Sequence, residues 1–343
     1  MSRVVDHLAE LTGYRDRDVL DVNLAAAIKD LLNPELVAIY RVVGEPGQQH
    51  WLTRARLGPG DVVPRADPIW AELHTLPPLQ AHPARAACLS QGQPILGSGA
   101  GALSCFPLDA EQQTVGVLEL LTREPLSAAD QRLVAGMLRV YRNFQGLLDY
   151  SERDTLTGLL NRKTFDESFL QLAQDAPATV PAAAQGGARR PGARPGTWLA
   201  VIDIDHFKRV NDQFGHLIGD EVLLLMARLL RSTFRFHDKV YRFGGEEFVA
   251  LVRCGDLPEA QAAFERLRVN VASHAFPQVG SITVSVGFTR IRAGDTPNEA
   301  FERADQAVYY VKQNGRNRVA EHATLVAAGS LAATQRDSDV ELF

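Results

Sequence analysis

Apolar positions along the chain change period several times, and each change marks a predicted element. Val22–Leu32 carries them at helical spacing and stops at Asn33-Pro34, where the missing proline N–H forbids another turn. Leu36–Val43 is a continuous apolar run of strand length, and Trp51–Arg56 can pair back on it across a Gly44–Gln48 turn. Leu103–Leu108 and Thr114–Leu121 predict a second hairpin, turning through Asp109–Gln112. Between the hairpins, Pro59–Ser98 is rich in Pro, Gly and His and is predicted as loops with one short helix near Ile69–Leu73. Ser127-Ala128-Ala129-Asp130 opens a long helix in the manner of a capping box. Leu133, Met137, Val140, Phe144 and Leu147 then trace a heptad seam of about two repeats. Two readings of that seam stand: a parallel stalk paired with a second copy, or packing on the N-terminal sheet.

The C-terminal half is patterned differently. Ala176–Gly196 is low-complexity Ala, Pro, Gly and Arg that can bury almost nothing, and it is expected to be a disordered insertion. Trp198–Ile202 is an apolar strand fit for the centre of a sheet, and it delivers Asp203 at its carboxyl end. The short runs Lys239–Tyr241 and Phe248–Val252 flank Arg242-Phe243-Gly244-Gly245-Glu246-Glu247-Phe248. That is the pattern of a tight hairpin whose glycines let a phosphate approach and whose tip carries charge for a cation. Adjacent carboxylates there are costly unless a cation lies between them. The tail from about Ala323 to Phe343 shows no clear period.

Composition narrows the picture. The chain has 343 residues, 45% of them hydrophobic, which is enough for two cores. A net charge of −5 gives no electrostatic case for binding long nucleic acid, so a nucleotide would be met by local groups. Cys88, Cys105 and Cys254 are too widely spaced for a disulfide framework or a zinc site and fit a reducing cytosol. The sequence shows no hydrophobic signal core and no run near the ~18 apolar residues of a membrane span, so a cytoplasmic protein without membrane attachment is expected.

The Gly-Gly-Glu-Glu hairpin resembles the signature of the GGDEF family, the diguanylate cyclases, in its Glu-for-Asp variant. Other blocks occur in that family's order: Asp154-Thr155-Leu156-Thr157-Gly158, Val201-Ile202-Asp203-Ile204-Asp205-His206-Phe207-Lys208, Asn211-Asp212, Phe214-Gly215-His216-Leu217-Ile218-Gly219-Asp220, and Tyr309–Asn317. The predicted N-terminal order of helix, hairpin, crossover, hairpin and long helix resembles a GAF-type sensory domain, and a PAS-like sensor would show much the same order. The implied fold is a mixed α+β and α/β chain with a GAF-like sensor sheet at 1–126 and a signalling helix or stalk at 127–151. A nucleotidyl-cyclase-like palm, a mostly antiparallel central sheet flanked by helices, would occupy 152–321, with the insertion at 176–196 and a tail at 322–343.

The resemblance implies site residues. Asp203, Glu246 and the Ile204 carbonyl would hold magnesium, with manganese as a substitute, since this ion takes hard oxygen ligands and keeps waters and phosphates. Asp205 is expected to cap the backbone that follows rather than bind metal. Glu247 has three readings: base for the ribose 3′-hydroxyl, completion of the metal site, or charge balance with Arg242. Phe207 and Lys208, the Gly244–Gly245 turn, and Lys312 with Arg316 on one helix face or its C-terminal end would meet the triphosphate. Asn211 and Asp220 match guanine-binding positions, because guanine offers N–H donors to a carboxylate and an acceptor to an amide. Arg235 and Asp238 resemble the family's inhibitory product site, binding cyclic di-GMP.

The implied function is condensation of two GTP into cyclic di-GMP by a homodimer in bacterial signal transduction, regulated by the sensor, whose ligand is unknown, and by product. The rival reading is a catalytically silent receptor for GTP or cyclic di-GMP, which the intact Asp203, Lys208, Glu246 and Glu247 argue against. Use of ATP is disfavoured by Asp220.

Overall fold

The computed structural model describes residues 2–13, 17–68, 71–110, 113–174 and 196–331. It divides into two compact units, up to Ser151 and from Glu152 onward. Nearly all of the low-complexity insertion, the last twelve residues and the Ile69 end of the predicted short helix lie outside the described residues.

In the first unit, helices α1 (Ser2–Gly13) and α2 (Arg17–Leu32) precede strands β1 (Leu36–Val43) and β2 (His50–Leu57). Helix α3 (Pro83–Gln91), strands β3 (Ala102–Ala110) and β4 (Gln113–Thr122), and helix α4 (Ala128–Glu152) follow. The sheet is antiparallel in the order β2-β1-β4-β3, so both predicted hairpins form and their inner strands pair. Alternation along β1 sends Val37 and Ile39 to one face and Ala38 and Tyr40 to the other. The first face packs on Leu20, Leu24 and Ile28 of α2 and on Val134, Met137, Tyr141 and Leu148 of α4. The second face holds Trp51, Cys88, Cys105 and Val117. There Arg85 of α3 makes a bidentate buried pair with Glu119, at 2.6 and 2.8 Å, and lies over the Tyr40 ring. Helix α3 falls inside the segment expected to be loops; Pro83 at its first turn and Gly92 at its left-handed end are ordinary helix punctuation that the surrounding Pro and Gly obscured. Leu73–Thr75, which meets the expected short helix only at Leu73, is a single 3₁₀ turn.

The capping box at α4 forms: Ser127 Oγ accepts from Asp130 N, and Asp130 Oδ2 accepts from Ser127 N. Of the proposed seam, Met137 is buried while Leu147 is 67% exposed. The buried stripe is Val134, Met137, Tyr141, Gln145 and Leu148, one position C-terminal to the predicted seam everywhere but at Met137, because the sheet selects the adjacent face of the helix. Arg41 and Asp21 both hydrogen-bond the Tyr141 hydroxyl, and Arg17 pairs with Asp149, so polar contacts also hold α4 and α2 together.

The second unit runs β5 (Leu160–Asn161), α5 (Arg162–Gln174), β6 (Gly196–Ile204), α6 (Phe207–Phe214), α7 (His216–Thr233), β7 (Lys239–Gly244) and β8 (Glu247–Cys254). It continues through α8 (Leu257–Ser273), the small β9 (Ala275–Phe276) and β10 (Gly280–Ser281), β11 (Val284–Arg290), α9 (Pro297–Gln313), β12 (Val319–Glu321) and α10 (His322–Ala327). The main sheet has the order β12-β11-β6-β8-β7-β5. Pairing is antiparallel except for β12 on β11 and β5 on β7. Every residue of β6 is buried, as a strand covered on both faces requires. One core collects β6, β8 and β11 with Val222, Met226 and Leu230 of α7 and Phe264 and Leu267 of α8.

Candidate active site

Strand register brings the acidic residues together. Asp203, next to the end of β6, lies opposite Glu247 at the start of β8, and Glu246 sits in the two-residue turn between β7 and β8. Gly244 and Gly245 have φ of +146° and +50°, and a Cβ on either would meet nothing within 4 Å. Glycine is therefore demanded by the backbone, and the space above the turn is open to a ligand. Phe243 seats the turn by stacking on Phe301 of α9, with ring centroids 5.1 Å apart and planes 9° apart. Burial, then the Asp203 charge, pushes the carboxyls of Glu246 and Glu247 upward, and burial does the same for Asp203 against the pull of Lys312.

Other predicted residues are placed as follows. Asp203 Oδ2 accepts from Lys312 Nζ at 2.7 Å, so the lysine expected on phosphate neutralises the carboxylate instead. Lys312 lies in the last turn of α9, whereas Arg316 lies beyond the helix with φ +56°; they meet at the helix C-terminal end rather than on one face. Phe207 is 4% exposed and packs in the core, so its side chain is not a ligand contact and only its backbone at the start of α6 is available. Ile204 likewise offers only its carbonyl. Lys208 on α6 and Asp220 on α7 are exposed. Asn211 lies against Gly219, the residue before Asp220: a Cβ added to Gly219 would stand 2.0 Å from Asn211 Oδ1.

Two expectations are corrected. Asp205 does not cap the following segment; its buried carboxylate accepts from Thr283 Oγ1, Ser285 Oγ and Asn317 N, tying β11 and the loop after α9 to β6. Arg242 does not balance Glu247; it pairs with Asp154 at 3.0 Å and donates to the Gly245 carbonyl. In the Arg235/Asp238 pair, the aspartate is drawn inward. Its oxygens accept from the N–H groups of Arg235 and Arg253, while the exposed Arg235 guanidinium reaches Glu259 at 3.4 Å. Sequence reasoning also missed Asp305, whose charge raises both Asp203 and Glu247; its spacing of seven from Lys312 along α9 was the available signal.

Among the described residues no group of three or more His, Cys, Asp or Glu side chains could hold a metal ion. Two carboxylates and a carbonyl fit magnesium nonetheless, because that ion is bound through one or two carboxylates together with substrate phosphates.

The fold and site together define a palm-type domain with acidic residues gathered at the strand ends of its central sheet. Residues 151–318 match the family model for the diguanylate cyclase GGDEF domain. The chain is 43% identical over 169 residues to diguanylate cyclase DgcP of Pseudomonas aeruginosa, covering 48% of this chain and 23% of that protein. It is 39% identical over 172 residues to diguanylate cyclase DgcZ of Escherichia coli, covering 49% and 52%. A crystal structure of the coiled coil and GGDEF domain of DgcB from Caulobacter crescentus, in complex with c-di-GMP, is similar at 30% identity and a TM-score of 0.47, covering 57% of this chain and all of that one. The chain thus spans about a quarter of DgcP and about half of DgcZ. Residues 151–318 thus form a GGDEF domain.

Proposed function

We propose that the chain is a diguanylate cyclase, condensing two GTP molecules into cyclic di-GMP with release of two pyrophosphates. The observation that carries this reading is the meeting of Asp203, Glu247 and the open glycine turn bearing Glu246 at one end of the central sheet. In this reading Asp220 accepts from the guanine N–H groups and Asn211 donates to the base. Lys208, Arg316 and the first N–H groups of α6 hold phosphate oxygens, the helix start adding its partial positive charge. Lys312 exchanges Asp203 for a phosphate oxygen, which frees the carboxylate for the cation. Asp203, Glu246 and the Ile204 carbonyl hold that magnesium, which supplies charge stabilisation for the departing pyrophosphate when bound.

The 3′-oxygen of one GTP attacks the α-phosphorus of the other in line. A P–O bond forms, the α–β bridge breaks with pyrophosphate leaving, and Glu247 takes the hydroxyl proton. One domain holds one GTP, so two copies face each other, and a four-stranded sheet flanked by helices suits a GAF-type sensor that sets their geometry. Arg235 would bind accumulated product. No helix among the described residues is long and apolar enough to cross a membrane, and a GTP substrate agrees with a cytoplasmic enzyme. Incubation with GTP and Mg2+, with cyclic di-GMP and pyrophosphate measured together, tests the proposal. A verified dimer that forms neither would point to the silent receptor.

A further inference from the structure

The Arg242 guanidinium spans two groups. Nη1 donates to Asp154 Oδ1 at 3.0 Å, while Nε and Nη2 both donate to the Gly245 carbonyl, at 3.2 and 2.9 Å. Asp154 is itself held. The same oxygen accepts from the N–H and hydroxyl of Thr157 at 2.8 and 2.6 Å, and Arg231 binds the Thr157 carbonyl at 2.8 Å. Strand β5 adds a second restraint by pairing Asn161 with Arg242. A planar trans peptide points its C=O and N–H in opposite directions. Fixing the Gly245 oxygen on Arg242 therefore turns the Glu246 N–H the other way. Two consecutive glycines would otherwise leave that peptide free to rotate. Among the described residues the Glu246 N–H has no acceptor.

We infer that Arg242 is a positioning residue: it sets the Gly245–Glu246 peptide so that its N–H faces the open side of the turn as a donor for a phosphate oxygen, and Asp154 anchors the arginine. The inference rests on the cyclase reading, which gives the open side its phosphate. A second role for the same contacts is mere stability, and the two separate experimentally. Lysine at 242 keeps an ion pair with Asp154 but lacks the planar fork that grips one carbonyl twice.

The experiment compares wild type, Arg242→Lys, Arg242→Met and Asp154→Asn in full-length protein, measuring Tm, kcat and KM for GTP. For Arg242→Lys the expectation is near wild-type Tm and a kcat lower by about 10- to 100-fold, less than the ~10²–10³ for outright removal of an oriented donor because the N–H is loosened and not deleted, with KM within about threefold. Asp154→Asn should shift in the same direction by less. Full recovery of kcat in Arg242→Lys overturns the inference, as does an unchanged kcat in Asp154→Asn should the lysine variant not fold. Wild-type protein that makes no cyclic di-GMP overturns the cyclase reading instead, so the two failures are distinct.

Discussion

Asp154 shows how one short side chain links the opening segment of the domain to its signature turn. Burial alone would raise its carboxyl, but hydrogen bonds from Thr157 and Arg242 outweigh that and hold it below the ordinary value of 3.8. A lowered folded value means stability that is present above the unfolded pKa and lost as pH falls through the folded one. Thermal unfolding of wild type and Asp154→Asn should therefore differ most near neutrality and converge in acid below about pH 3.8. A gap that widened with acid would contradict the assignment. Arg235 makes the complementary case. Because Asp238 spends its carboxylate on two backbone N–H groups, recognition of product, in the cyclase reading, would fall to the arginine. Arg235→Ala should leave initial turnover intact and abolish inhibition by added cyclic di-GMP; retained inhibition would remove Arg235 from that role.

Between elements, the packing of α6 on α7 sets Asn211 against Gly219, and in the cyclase reading that placement would govern base choice. Gly219 has no room for a side chain, since a methyl group would fall 2.0 Å from Asn211 Oδ1. Gly219→Ala should displace the Asn211 amide while costing about 1–3 kcal/mol of stability, the usual range for overpacking. The expected readout is a loss of preference for GTP over ATP in competition, larger than any loss of Tm would explain. Unaltered preference would separate Asn211 from base recognition. Helix α4 shows the same dependence on surroundings. Its start was legible because a Ser-x-x-Asp cap is local chemistry, whereas its buried face was not, because the sheet chooses that face.

At the scale of the whole molecule, the cyclase reading makes one chain half of a catalyst. Specific activity should then rise with protein concentration until dimerisation is complete, checked by turnover across a dilution series alongside native mass spectrometry. Constant specific activity in a monomeric range would end the two-copy reading. Leu147 and Tyr150 near the end of α4 are exposed while Leu148 between them is buried, so pairing through the exposed pair would not compete with the buried stripe.

The strands, the capped helix and the glycine turn could be read from the sequence alone, because alternation, capping and positive φ depend on neighbours along the chain. So could the identity of the acidic residues, since carboxylates beside glycines carry their chemistry with them. Partners were another matter. That Lys312 faces Asp203, that Arg242 grips Gly245 rather than Glu247, and that Asp205 ties β11 to β6 depend on strands and helices far apart in sequence. Charge pairing in a folded chain follows proximity in space, and only the tertiary structure supplies that proximity.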